Sequence, residues 1–236
     1  MNHYIIQILY EYSYFKLYLL TILYFLFLYF VVGQLFIYTC RFLENFGILH
    51  TIHKSEPSKK QKHFEIKHSL KSIVLFGFSI IPIIYLIRKD IIQLLPNNWY
   101  YIIIGLIILN LWNELHFYIV HRIMHTKFMM KNVHYIHHKS RVPTIYSVFS
   151  FHWLEAVLLS TVPLTIVPFL PFSILAIFIY PTTSILLNFA GHCNYRFGNG
   201  KCEEWTKLGT HHNQHHTKGK ENYGFALNIF DKWFSQ

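Results

Sequence analysis

Histidine spacing constrains this chain more than any other feature. Residues 116–138 read HFYIVHRIMHTKFMMKNVHYIHH and hold six histidines. His121 and His125 stand at i,i+4, and His134, His137 and His138 stand at i, i+3, i+4. Helical residues at those separations share a face, one turn apart. His212, His215 and His216 repeat the second spacing near the end of the chain. One HxxxH and two HxxHH patterns within 236 residues need a chemical reason. Neutral imidazole is the commonest side-chain metal ligand.

The rest of the chain places these histidines at a membrane. It is 53% hydrophobic and only 14% charged, against roughly 25% charged in soluble domains. Residues 17–40 carry no charge and exceed the ~20 residues a bilayer-crossing helix needs. Residues 41–71 change to a basic loop with Arg41, Lys54, Lys59, Lys60, Lys62, Lys67 and Lys71. The bias places that loop in the cytoplasm, with His50, His53, His63 and His68 read as solvated. Residues 72–87 are apolar around Pro82 and either span with a kink or form half of a hairpin. Residues 102–120 hold one charged residue, Glu114, and one histidine, His116, before His121.

Residues 156–190 contain neither a charge nor a histidine, and four prolines divide them. A helical hairpin fits that length better than two full spans. His192 then returns to the face that carries His121–His138. The expected fold is an all-α membrane protein of about four transmembrane or hairpin helices. A cytosolic helical cap carries a histidine-ligated dimetal site. Arg88 and Lys89 dissent, falling on the far side. The net charge of +10 fits a cytoplasmic face against anionic lipid better than it fits nucleic acid. Three cysteines without a CxxC pair point to a reducing compartment. No cleavable signal peptide is expected, because the first apolar run is too long and lacks a small-residue cleavage site.

One tetrahedral zinc takes about four ligands, so nine or ten histidines argue for two ions at about five nitrogens each. No carboxylate stands between the histidines, as it does in the HExxH of hydrolases. All-nitrogen ligation with open positions fits oxygen activation by iron. Two other classes compete: a membrane metal-binding or transport protein, and a zinc-dependent membrane hydrolase. The first needs ionisable residues within the spans, which are nearly empty of them.

The motifs HRIMH, HYIHH and HHNQHH, with FHWLE and NFAGHCN between them and NYGFALNIFDKWF after them, resemble the sterol desaturase and fatty acid hydroxylase superfamily. The resemblance covers about 99–236 as a catalytic domain. It leaves 1–98 as N-terminal membrane helices and the basic loop. It implies a membrane-bound di-iron oxidoreductase that hydroxylates or desaturates a lipid with O2. Electrons would come from a separate donor, cytochrome b5- or ferredoxin-like with its reductase, since no dinucleotide fingerprint is present. Zinc can replace iron in purified protein. The active site would lie on the cytoplasmic face of a bacterial inner membrane or the endoplasmic reticulum. By resemblance the metal ligands are His121, His125, His134, His137, His138, His192, His212, His215 and His216, with His152 as a tenth. His152 has a second reading as a helix-start residue partnered by Glu155. Asn188 stands where some relatives place another histidine. His211 and His116 are read as lying outside the ligand set. Glu114, Glu155 and Asn188 are expected to orient the imidazoles.

Overall fold

Ser13 opens the longest apolar helix. Its Oγ accepts the Lys16 amide at 3.2 Å, the usual N-cap device. The computed structural model describes residues 3–197, 208–219 and 221–234; Cys202 lies outside them. After a short helix α1 (His3–Tyr10), helix α2 runs over Tyr14–Asn45 for 32 residues. Leu19, Leu23, Phe27, Val31, Leu35 and Tyr38 are exposed on it. They recur every three or four residues and so form one stripe, the pattern of a face turned to lipid.

The basic segment departs from its expected form as a loop. Helix α3 (Lys59–Phe76) starts at an N-cap Ser58, whose Oγ accepts the Gln61 amide. It is followed closely by α4 (Ile80–Arg88). Its buried face is Glu65, Ser69, Ser72, Ile73 and Phe76. The spacing is helical, but three of the five are polar, so no hydrophobic period marks it. Glu65 accepts from Thr144 Oγ1 and from Gln61, which ties α3 to the segment after the second histidine block. Pro82 sits in the first turn of α4, where proline is tolerated. Gly77, between the two helices, is required by packing: a Cβ there would lie 2.7 Å from the Tyr18 ring.

Helix α5 (Trp99–Met124) delivers the first histidines. Residues 127–138 continue as a second helical piece with a π turn at Met130–His134. The apolar stretch 156–190 forms a hairpin with unequal arms. Its first arm is α6 (Trp153–Ser160), too short to cross, and its second is α7 (Ile174–His192). The three prolines at 163, 168 and 171 make the turn, and Pro181 is accommodated inside α7. Helix α7 packs mainly on α5, and Gly105 allows the approach, since a Cβ there would meet the Ala176 Cβ at 2.8 Å. Helix α8 (Thr210–Lys218) carries the last histidines. Among the described residues four helices, Tyr14–Asn45, Lys59–Arg88, Trp99–Met124 and Ile174–His192, are long and apolar enough to cross a membrane.

A two-stranded antiparallel sheet closes the histidine end: β1 (Leu49–Thr51), just after α2, pairs with Tyr195–Phe197, just after α7. The dissenting charge at the other end has a structural role. Arg88 donates Nε to Leu9 O at 2.5 Å and Nη2 to Tyr12 O at 2.6 Å. It satisfies carbonyls at the C-terminal end of α1, where helices leave them unpaired. Arg88→Ala should therefore destabilise the fold by about 1.5–3 kcal/mol, the usual worth of a charged hydrogen bond, while Lys89→Ala changes little. Unfolding midpoints in detergent check the pair. On topology, cysteines introduced singly at Ser58 and Gly219, in a background without Cys202, should label from the same membrane face. Labelling from opposite faces would separate α3's start from the histidine end.

Candidate metal centre

Each histidine reaches the centre by a different local device. His121 is in the last turn of α5 and His125 is its C-cap. His134 ends the π turn, and His137 and His138 follow in the next helical turn. His192 is the last residue of α7. The start of α8 touches the end of α7 backbone to backbone. Gly209 has φ +72°, and a Cβ there would fall 2.3 Å from Ala190 C, so only glycine fits. Helix α8 reads THHNQHHTK, with little hydrophobic drive of its own. Its placement depends on hydrogen bonds: Asn213 Oδ1 lies 3.0 Å from His53 Nε2, and His215 Nδ1 donates to Glu221 O at 2.5 Å.

The rings separate into two groups. His121, His125, His134, His138 and His215 form one, and His137, His192, His212 and His216 the other, with ligand atoms inside each group within 4.8 Å of one another. The groups are neighbours: the ring centroids of His138 and His216 are 5.1 Å apart, and those of His134 and His137 5.5 Å. Each HxxHH box is divided between them. His134 and His138 face the first group while His137 faces the second; His212 and His216 face the second while His215 faces the first.

In the first group the Nε2 atoms point at one another. His121 and His134 are 3.1 Å apart, His125 and His138 3.2 Å, His125 and His215 2.9 Å, His138 and His215 3.2 Å. Metal–nitrogen bonds of about 2.1 Å separate ligand atoms by ~3.0 Å at right angles and ~3.4 Å at tetrahedral angles. The observed edges match that range. The outward nitrogens fix the tautomers. His121 Nδ1 lies 2.8 Å from Tyr223 O, and His215 Nδ1 is on Glu221 O. A carbonyl only accepts, so both rings carry their proton on Nδ1 and turn a bare lone pair inward. His134 Nδ1 lies 2.8 Å from Glu155 Oε1. The second group shows the same need. His137 Nδ1, His192 Nε2, His212 Nδ1 and both nitrogens of His216 are buried without a hydrogen-bond partner, a costly state that a cation would relieve. His192 Nδ1 is held by Asn188 O at 2.9 Å.

The environment keeps the rings neutral, as ligation requires. Burial, with neighbouring imidazoles adding to it, lowers His125 and His138 to about 3. The same causes hold His134, His137, His212 and His216 well below the usual histidine range. Burial pushes the Glu155 carboxyl well above its usual range.

Nine of the ten residues expected from the sequence are brought together. His152 stands outside both groups. It is the N-cap of α6, its Nδ1 accepting the Leu154 amide at 3.2 Å, and Glu155 pairs with His134 instead. The groups therefore hold five and four imidazoles rather than about five each. Asn188 donates its side chain to Val148 O and touches His192 through its backbone. His116 lies 3.1 Å from Thr161 Oγ1, and His211 3.3 Å from Asn228. Glu114 acts at one remove: its carboxylate accepts the Phe225, Ala226 and Leu227 amides. With Asp231, which accepts the Tyr223 and Gly224 amides, it shapes the loop that presents Tyr223 O to His121. His53 departs from its solvated reading. Asn194 clamps its backbone on both sides, and its ring reaches Asn213. Nothing in its basic surroundings signals that contact; only the return of the chain at Asn194 creates it.

Two outcomes follow. His152→Ala should keep full metal content while costing about 1 kcal/mol of stability, as a lost N-cap does; an ion lost with it would place His152 among the ligands. Glu155→Gln should weaken metal retention by about 10–100-fold, as changes behind a ligating histidine do, read as metal released to a chelator.

Comparison with known proteins gives a family and two relatives. Residues 106–236 match the fatty acid hydroxylase family. Lathosterol oxidase of Rattus norvegicus is 24% identical over 184 residues, covering 74% of this chain and 60% of that protein. Lathosterol oxidase of Mus musculus is 23% identical over the same length and coverage. The chain thus spans about 60% of the length of the curated relatives it matches. No solved structure matches.

Proposed function

The chain belongs to the fatty acid hydroxylase family, and from that premise we propose that it is a membrane-bound di-iron oxidoreductase that hydroxylates or desaturates a lipid. In this reading O2 is the oxidant, and a separate cytochrome b5- or ferredoxin-like protein supplies electrons. The observation that carries the reading is the pair of adjacent all-imidazole groups, packed behind Phe117 and Phe151 of an apolar cavity. His121, His125, His134, His138 and His215 would hold one ion, and His137, His192, His212 and His216 the other. When bound, an iron pair supplies an oxidant able to take hydrogen from an unactivated C–H bond, which no side chain can do. Residues 99–236 would form the catalytic domain, with 1–98 completing the membrane part. The basic residues at the histidine end favour the cytoplasmic face.

The chain's own residues bind, orient and exclude water. Phe117 packs 4.9 Å from the His121 ring and Phe151 4.9 Å from His137, centroid to centroid. Both line a cavity with Phe25, Phe149, Tyr180 and Asn188. A second cavity of about 430 Å³ shares Phe25, Ser79, Pro163, Tyr180 and Pro181 with it and continues past Leu20 and Ile84. The two adjoining cavities are mostly apolar, and the first is bounded by Phe117 and Phe151, the rings packed on His121 and His137. Such a lining suits a lipid, and the sterol in the relatives' name is one lipid of the right character. Glu155 sits 2.8 Å from His134 Nδ1, where its carboxylate would hold the ring proton and leave Nε2 free to ligate.

The test is reductant-dependent O2 consumption by the iron-loaded protein in lipid, with a lipid profile of a deletion strain against wild type. Uptake of O2 with one oxidised lipid missing from the deletion strain is expected. Metal transport or hydrolysis without O2 uptake would favour the competing classes. Phe117→Trp, which fills the cavity beside His121, should cut turnover at least tenfold with metal content unchanged.

A further inference from the structure

Cys40 and Cys193 are 153 residues apart in a chain that gives no sign of pairing them. Gly33, Phe36 and Cys40 follow one another along a single face of α2, at spacings of three and four. Phe189 and Cys193 are four apart at the end of α7. The faces meet: a Cβ at Gly33 would lie 3.1 Å from the Phe189 ring, and the Phe36 and Phe189 rings are 5.5 Å apart. Cys40 and Cys193 come next along that seam and belong to the same buried apolar cluster as Phe189. Both thiols are buried. Both line a cavity of about 340 Å³ whose wall includes Leu35, 60% exposed on the outer face of α2.

We propose that Cys40 and Cys193 form a reversible disulfide, a peroxide-sensitive clamp between α2 and the residue that follows His192. Hydrogen peroxide is small and uncharged and can enter an apolar cavity. One thiol attacks it, giving a sulfenic acid and one water. The second thiol then attacks that sulfur, forming the S–S bond and releasing a second water. Two thiols lose two electrons and two protons, and the peroxide O–O bond is reduced. A disulfide needs the two Cα atoms within about 7 Å of each other. The seam of Gly33 and Phe36 on Phe189 packs the two helices side by side just before the two cysteines. The linked form fixes the end of α7 against α2, beside β1 and its partner strand, and so stiffens the mount of His192. The clamp does not depend on which reaction the centre performs.

Purified wild-type protein in detergent is treated with hydrogen peroxide, alkylated, digested and weighed. The expected product joins the Cys40 and Cys193 peptides, lacks two hydrogens, disappears with dithiothreitol and forms equally in Cys202→Ser. It is absent from Cys40→Ser and from Cys193→Ser, and the linked protein unfolds at a higher temperature than peroxide-treated Cys40→Ser. Recovery of both cysteines as alkylated thiols, separate overoxidation of either one, or a Cys193–Cys202 link would overturn the proposal.

Discussion

Nine buried or half-buried imidazoles gathered in two adjacent groups that could each hold a metal ion are what the rest of this structure is arranged around. Burial keeps the rings neutral, and carbonyls at Tyr223 and Glu221 take the Nδ1 protons of His121 and His215. The Nε2 atoms of those two rings are then bare and turn inward, each about 3 Å from the Nε2 of a neighbouring ring. The rings are positioned from outside the centre. That work falls to Glu114 and Asp231 on the C-terminal loop, to Glu155 behind His134, and to the His53–Asn213 contact beneath α8.

The division of the HxxHH boxes explains why the spacing is used twice. In an α-helix each residue turns ~100°, so the middle and last histidines of a box diverge by that angle. One short helix can then serve two ions at once. The second block gives two rings to the first group and one to the second; the last block reverses the ratio. His121 and His125 complete the first group and His192 the second. The π turn at Met130–His134 sets the phase of the middle block, and such turns are frequent at functional sites.

Much of this was legible in the sequence, because histidine spacing and long uncharged runs are strong signals. Uncharged runs marked three of the long helices and the apolar end of Lys59–Arg88, spacing marked eight of the clustered histidines, and His192 entered through the return of the chain and the family resemblance. His152 misled because its F-x-F-H-x-x-E setting fits a ligand and an N-cap equally well, and only the position of its ring separates them. Helix α3 was hidden by its buried serines and Glu65, which carry helical spacing without hydrophobicity. The orienting carbonyls of Tyr223 and Glu221 have no side-chain signature at all. The contact of His53 and the shared cluster of Cys40 and Cys193 depend on chain return over more than a hundred residues, which no local pattern encodes.

The central claim is that the two imidazole groups are two metal sites. Elemental analysis of protein expressed with iron tests it most directly when single ligands from each group are changed. Wild type should carry about two ions per chain, with zinc replacing part of the iron on purification because it stands higher in the affinity order. His125→Ala and His216→Ala should each lose about one ion and keep the other. One ion per chain in fully active wild type, or loss of no metal in both variants, would contradict the account.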